Sequence, residues 1–530
     1  MAFNESHVPI LIFYKILLPF KHILTLGVSL LLKKILGQAF TEPLMATHVV
    51  VIPFPVQGQI NPLIRLSQKL ASQGITITFV NTDFNHFKIM KARNAHPGTL
   101  ESPCLNIRFV QVSDGLPLDF NRMAMPVEAF NALMTTMRAS AEDLLYKLLT
   151  QSCEPPVSCI IGSSFLIWSF DVAKKFELPF IAFWSQAVSV QVIYRHLSMI
   201  IDNGDFPPKG MIDYIPGLPL MHPQDFPSDI QSGDPSNPMH QVVLQQLPAL
   251  EEAAWIISNT VYELESQAND VIKEKSPLFG PIGPLIPSTY FEGEGKQQDF
   301  FIENSRSLSL QAESNCLPWL DSKPKSSVLY VSFGSFAQIS RVQAQEIARG
   351  LMESEQAFLW VIRPDLVRSE AETTISTDHN DILPEGFLEK TKNRGLLVPW
   401  SPQLLVLSHP SVGGFFTHGG WNSTMESLSL GVPMLVFPLG IEQSTNRMLI
   451  VNQWKIGLRL DSYRDDAIIE GAEIAKCVRA LLKDEEMRKR SNQVRETIMK
   501  AMGEGGSSWK NMKDFVDYLM SLPTKKMDVS

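Results

Sequence analysis

The segment WSPQLLVLSHPSVGGFFTHGGWNSTMESLSLGVPMLVFPLGIEQ, residues 400–443, alternates between short apolar runs and a helical pattern. The run at 412–416 is brief and unbroken, as expected of a strand buried on both faces. THGGWNST follows, a loop with two glycines that opens a helix at about Asn422. VPMLVFP then returns to a strand and ends in a loop at Glu442 and Gln443. Strand, helix, strand is the repeating unit of a doubly wound parallel sheet, whose ligands lie beyond the carboxyl ends of the strands. At such a helix start, free backbone N–H groups and the positive end of the helix favour an anion. His418 beside it can donate a hydrogen bond to a phosphate oxygen. Glu426, one turn in, can accept from sugar hydroxyls, and Trp400 offers a face on which a base can stack. Each residue also has an ordinary structural role: Trp400 as core, Gly419-Gly420 as a turn, Glu426 as a solvated helix position.

Outward from this segment, the same alternation runs through most of the chain. HVVVIPF, ITITFV, IRFVQV, VSCIIG and PFIAFW read as strands separated by helical stretches at 63–72 and 126–149. A passage rich in Pro, Gly and Ser follows AWIISNTVYELE and reads as a linker. The alternation restarts with SSVLYVSFGS, AFLWVI, SVGGFFTHGG, VPMLVFPLG and IGLRL. The expected architecture is α/β, with two doubly wound Rossmann-like domains facing across a cleft. The expected boundaries are 45–275 for the first domain, 276–316 for the linker and 317–505 for the second domain. An amphipathic helix at 506–522 is placed to pack back towards the first.

Residues 400–443 resemble, without a gap, the signature box of the plant family 1 UDP-glycosyltransferases. NTVYELE, PIGPL, VLYVSFGS, LPEGFLEKTKNRGLLVPW and the FNH turn agree with that resemblance, which runs from about Met45 to the C-terminus. It implies a GT-B fold, an acceptor site in the first domain and a UDP-sugar site in the second. Carried over, it makes Trp400 the uracil platform and Gln403 a uridine contact, with Glu426 on the ribose hydroxyls. His418, Asn422, Ser423 and Ser335 fall on the diphosphate. Trp421, Glu442 and Gln443 fall on the sugar, and Ser185 reaches it from the first domain. A closing Gln accompanies glucose in this family, and Trp421 in place of arginine argues against glucuronic acid. Gly419 departs from the pattern, standing where Cys is usual. The resemblance implies UDP-glucose as co-substrate, no cofactor and no metal. The acceptor is a lipophilic small molecule, with a pocket drawn from regions such as 114–125 and 184–201.

The first βα passage, VVVIPFPVQGQINPLIRLSQKL at 49–70, contains nothing that titrates near neutral pH between Pro53 and Pro62. The family usually reads QGH there, its histidine acting as general base for the acceptor hydroxyl, with an aspartate after the fourth strand orienting it. Gln59 and Ser163 occupy those positions. General-base catalysis contributes roughly 10²–10⁴-fold. The expectation is therefore an inverting glucosyltransferase limited to acidic acceptors such as carboxylates or thiols, or one with a substitute base, His86 being the nearest in sequence. A non-catalytic protein that binds UDP-sugar and acceptor is the alternative from a different class, and a GT-B enzyme using other nucleotide sugars ranks last.

The bulk numbers fit this reading. The chain has 530 residues, 45% hydrophobic and 19% charged, with net charge −9 and no dense basic block, which argues against a nucleic-acid partner. Five cysteines without CxxC spacing argue against a disulfide framework or a zinc site and for the cytoplasm. Residues 1–44 are apolar but interrupted by Lys15, Lys21 and His22, and their longest uncharged run is too short to span a bilayer. They read as an extension outside the fold, with a membrane-surface anchor or an uncleaved signal as the alternative.

Overall fold

The computed structural model describes residues 47–87, 106–122, 125–151, 155–234, 236, 238–290, 313–363, 365–367, 382–460 and 468–525. The expectation for residues 1–44 lies outside them. Two parallel sheets organise the described chain, as the alternation of patterns requires. The first holds β1 (His48–Ile52), β2 (Thr76–Thr82), β3 (Ile107–Val112), β4 (Cys159–Ser163), β5 (Phe180–Trp184), β6 (Trp255–Ser258) and β7 (Phe279–Pro281). The second holds β8 (Val328–Ser332), β9 (Ala357–Val361), β10 (Gly395–Val398), β11 (Val412–Thr417), β12 (Met434–Val436) and β13 (Gly457–Arg459). Their orders are β3-β2-β1-β4-β5-β6-β7 and β10-β9-β8-β11-β12-β13. Each order reverses once, between β1 and β4 and between β8 and β11, and at those switch points open α/β sheets leave a crevice.

The helices that build the site are α1 (Gln57–Ala71), α2 (Val188–Arg195), α3 (Ser228–Ser232), α4 (Gln403–Ser408), α5 (Trp421–Leu430), α6 (Gln443–Met448) and α7 (Ser507–Ser521). Strand alternation divides the first core in two. Val49, Val51, Ile77 and Phe79 pack with Leu63, Leu66 and Leu70 of α1 and with Met512, Phe515 and Leu519 of α7. Val50, Ile52 and Val80, on the opposite face, pack with Met137, Leu145 and Leu149. Period-two side-chain direction along a strand produces this division.

Three features differ from the sequence expectation. The first sheet extends past residue 275, because β7 lies inside the segment read as linker. The strand β10, Gly395–Val398, was not among the strands expected. Lastly, α1 begins at Gln57 and not near Leu63, with Pro62 inside it. Proline removes one N–H from the helix ladder at the second turn, and so leaves the carbonyl oxygen of Gly58 without its intrahelical donor. No helix among the described residues is long and apolar enough to cross a membrane.

Candidate active site

The two switch points meet. Helix α1 leaves β1 and helix α5 leaves β11, and their first turns touch: Asn422 Nδ2 donates to the carbonyl oxygen of Gly58. Pro62 explains why that oxygen is free. In a regular helix, residue 62 would donate its N–H to Gly58 O, and proline has none to give. Neither helix carries a side-chain cap or an acidic residue in its first turn. Two positive helix ends therefore converge on one region.

Asn259, beyond β6, ties the same junction from the first domain. Its Nδ2 donates to Asn422 Oδ1 at 3.2 Å, and its carbonyl oxygen accepts from Trp421 Nε1 at 3.0 Å. The Trp421 indole is therefore packed between the domains, and what it leaves facing the crevice is its backbone at the first position of α5. Asn422 likewise has both side-chain ends on first-domain partners.

Around the start of α5, the residues expected at a nucleotide lie together. Gln403, first residue of α4, donates through Nε2 to Ser423 Oγ at 3.0 Å and to Glu426 Oε2 at 2.8 Å. Its Oε1 accepts from Tyr330 OH at 3.3 Å. Glu426 Oε1 accepts from Arg65 of α1 at 3.1 Å. Trp400 is half-buried beyond β10, and Ser335 is exposed in the turn after β8.

His418 follows β11 with its imidazole between two glycines. A Cβ on Gly334 would stand 2.7 Å from His418 Cε1, and one on Gly420 would stand 2.5 Å from Nε2. Gly334 also has φ +73°, a backbone region that favours glycine. Desolvation, and then the charge of Arg363, pull the His418 pKa down to about 4. The ring is neutral near pH 7, with a single N–H to offer. Gly419, with φ +80°, suits the turn in which it stands.

The loop that ends at Gln443 is strained and held from across the cleft. Ile441 has φ +56°, an outlier for a β-branched residue. Ser228 of α3 accepts from Ile441 N through Oγ at 2.8 Å and donates its own N–H to Ile441 O at 2.9 Å. Glu442 is buried, and desolvation raises its pKa. Its Oε2 accepts from Gln186 Nε2 at 3.1 Å. Gln443 Oε1 accepts from Leu439 N at 2.7 Å, which closes the loop on itself.

Facing this from the first domain is a polar chain of three residues. Gln59 is buried in the first turn of α1, Ser163 ends β4 and Ser185 follows β5. Ser163 Oγ donates to Gln59 Oε1 at 3.2 Å, and Gln59 Nε2 donates to Ser185 Oγ. Both ends of the amide are thus committed. His86 lies beyond β2, half-buried, its pKa lowered by desolvation and its Nδ1 without a hydrogen-bond partner. The neighbouring Asn85 donates to Pro55 O at 3.0 Å, which fixes this turn against the β1 exit.

Of the regions expected to line an acceptor pocket, α2 is buried from Val188 to Tyr194, whereas Leu118, Met125, Met199 and Ile201 are exposed. Sequence reasoning missed Arg65, Asn259, Gln186 and Arg363. Each reaches the site by tertiary placement, and only the Pro62 spacing gave a local signal for the Gly58 contact. Among the described residues no cluster of three or more His, Cys, Asp or Glu is arranged for a metal ion.

Comparison with known proteins agrees with this geometry. Residues 310–493 match the family model described as UDP-glucoronosyl and UDP-glucosyl transferase, and residues 46–157 match that of the glycosyltransferase N-terminal domain. UDP-glycosyltransferase 86A1 of Arabidopsis thaliana is 36% identical over 500 residues, which is 91% of this chain and 96% of that protein. The 7-deoxyloganetin glucosyltransferase of Gardenia jasminoides is 36% identical over 492 residues, 89% of this chain and 98% of the relative. The crystal structure of Os79 from O. sativa in complex with UDP superposes with a TM-score of 0.73 at 26% identity, covering 89% of this chain and 100% of that one. With two parallel sheets meeting at their switch points and near-full-length relatives of this kind, the chain belongs to the plant family 1 UDP-glycosyltransferases, enzymes of the GT-B fold.

Proposed function

We propose that the protein transfers glucose from UDP-glucose, with inversion at C1, to lipophilic small molecules whose nucleophile arrives ionised, such as carboxylic acids. The observation that carries this reading is the chain Ser163–Gln59–Ser185 at the acceptor side of the crevice. An amide held at both ends orients a neighbour but accepts no proton near pH 7. An acceptor carboxylate has no proton to remove. Its oxygen attacks C1, the C1–O bond to the diphosphate breaks, and UDP leaves with the electron pair. The converging starts of α1 and α5 favour both anions, the arriving carboxylate and the departing diphosphate.

Donor binding falls to the second domain in this reading. Trp400 stacks uracil, Gln403 contacts uridine and Glu426 accepts from the ribose. His418, the backbone N–H of Asn422, Ser423 and Ser335 take the diphosphate. Glu442, Gln443, the Trp421 backbone and Ser185 take the sugar. The glucosyl group named for the Gardenia jasminoides relative supports glucose as the sugar. No cofactor enters the reaction, and we place the enzyme in the cytoplasm.

The test is transfer of labelled glucose from UDP-glucose by the natural chain and by the Gln59→His/Ser163→Asp double variant. Matched phenol and carboxylic acid acceptors are compared. The 3.2 Å contact between residues 59 and 163 leaves the two new side chains within reach of each other. The natural chain is expected to glucosylate the acids, and the variant to gain roughly 10²–10⁴-fold on the phenols alone. An equal gain on both classes would refute ionised-acceptor chemistry. A natural chain inert on every acceptor, beside an active variant, would favour a UDP-sugar-binding protein.

A further inference from the structure

Arg65 stands on the third turn of an acceptor-domain helix, yet its guanidinium ends on the donor domain. Nη1 donates to Glu426 Oε1 at 3.1 Å and to the carbonyl oxygen of Leu285 at 3.1 Å. Leu285 is itself fixed, because its N–H donates to Asn259 Oδ1 at 2.8 Å. Glu426 is fixed on its other oxygen by Gln403. The carboxylate is thus held at both oxygens by one residue from each domain. Each carboxylate oxygen accepts more than one hydrogen bond, so this clamp leaves acceptor capacity for two hydroxyl donors.

We infer that Arg65 is the positioning residue for the carboxylate that receives the ribose, so that uridine recognition in the second domain depends on a side chain of the first. The inference rests on the assignment of Glu426 to the ribose hydroxyls. Arg65 touches no substrate. It sets the rotamer of Glu426 and keeps a compensating positive charge beside it. The side chains are 20% and 10% exposed, so the pair is shielded from water on most sides without being sealed from it. Both bonds leave one nitrogen, Nη1, whose two N–H groups point in fixed directions within the guanidinium plane, whereas the ammonium of lysine rotates freely on a shorter, flexible stem.

The ligand that separates positioning from general support is UDP without its hydroxyls. Affinities of the full chain for UDP and for 2′,3′-dideoxyuridine diphosphate are measured by calorimetry in the natural protein, Arg65→Met, Arg65→Lys, Glu426→Ala and the Arg65→Met/Glu426→Ala pair. Arg65→Met is expected to weaken UDP about tenfold, the scale of a partly buried charge-assisted contact, and to leave the dideoxy ligand within about twofold. Arg65→Lys recovers part of the loss. Arg65→Met adds nothing once Glu426 is alanine. Equal weakening of both ligands, tighter UDP binding in Arg65→Met, or full additivity in the pair overturns the inference. A Glu426→Ala loss that ignores the hydroxyls overturns the ribose assignment and the inference with it. A hydroxyl-dependent loss in Glu426→Ala with none in Arg65→Met overturns only the role of Arg65. A misfolded variant binds neither ligand, so the dideoxy arm identifies it.

Discussion

His418 is poised by what its neighbours lack. Two glycines make the space for its ring, and burial keeps it uncharged until the pH falls to about 4. A neutral imidazole crosses no desolvation barrier to sit beside two helix ends, and an arriving diphosphate can then raise its pKa and strengthen the contact. Gly334→Ala tests this arrangement. The added methyl would stand 2.7 Å from the ring in a left-handed backbone position. That substitution is expected to cost about 1–2 kcal/mol of stability from the backbone alone, and to turn the imidazole and weaken UDP binding. Thermal melts and UDP titration read the two effects. His418, Ser423 and Glu426 were legible because they lie in one continuous segment around one helix start. Arg65 was not, since 361 residues separate it from Glu426 and nothing near it in sequence requires an ion pair.

Helix α7 shows how an element far along the chain can belong to a distant core. Its Met512, Phe515 and Leu519, spaced at three and four, are buried against the first sheet. Phe515 lies 5.7 Å from Trp255, ring centre to ring centre, and Asn511 Nδ2 donates to Pro281 O at 2.9 Å. Phe515→Ala is expected to destabilise the protein by about 3–5 kcal/mol through cavity formation, read as a lower denaturation midpoint with an unchanged denaturant slope. The amphipathic spacing made this helix visible in sequence, and the apolar runs did the same for most strands. The start of α1 was misplaced because Pro62 looks like a boundary. It stands in the second turn, where the single bond it forfeits is taken up by another domain. The strand Gly395–Val398 was hidden by its brevity, and its residues Gly395–Leu397 are only half-buried.

At the scale of the molecule, buried neutral histidines tie stability to pH. His48 donates from Nδ1 to Pro155 O at 2.9 Å and accepts at Nε2 from Thr78 Oγ at 2.8 Å. Desolvation lowers its pKa to about 4, against the Pro155 hydrogen bond and with help from the charge of Arg108. The unfolded chain takes up that proton near pH 6.5 and the folded chain resists until about 4. The stability contributed by His48 is therefore complete above pH 6.5 and is lost as the pH falls towards 4, an effect of about 3 kcal/mol. His418 adds in the same direction. Glu265 and Glu442, raised by burial, act in the opposite sense and lose stability as the pH rises past the carboxylate range. Melting temperatures of the natural chain and His48→Gln between pH 4 and 7 separate the parts, and the variant is expected to show the shallower fall on acidification.

The join between α1 and α5 also limits how this enzyme can be recombined. Gly58, Pro62 and Arg65 on one side match Asn422 and Glu426 on the other, and Gln186 and Ser228 do the same for the loop at Glu442. A donor half grafted beneath a foreign acceptor half keeps its signature segment intact, yet it leaves behind the struts that shape that segment. Chimeras built to change acceptor range must carry these residues across as matched sets, so the natural seam for exchange lies along the supports and not at the linker.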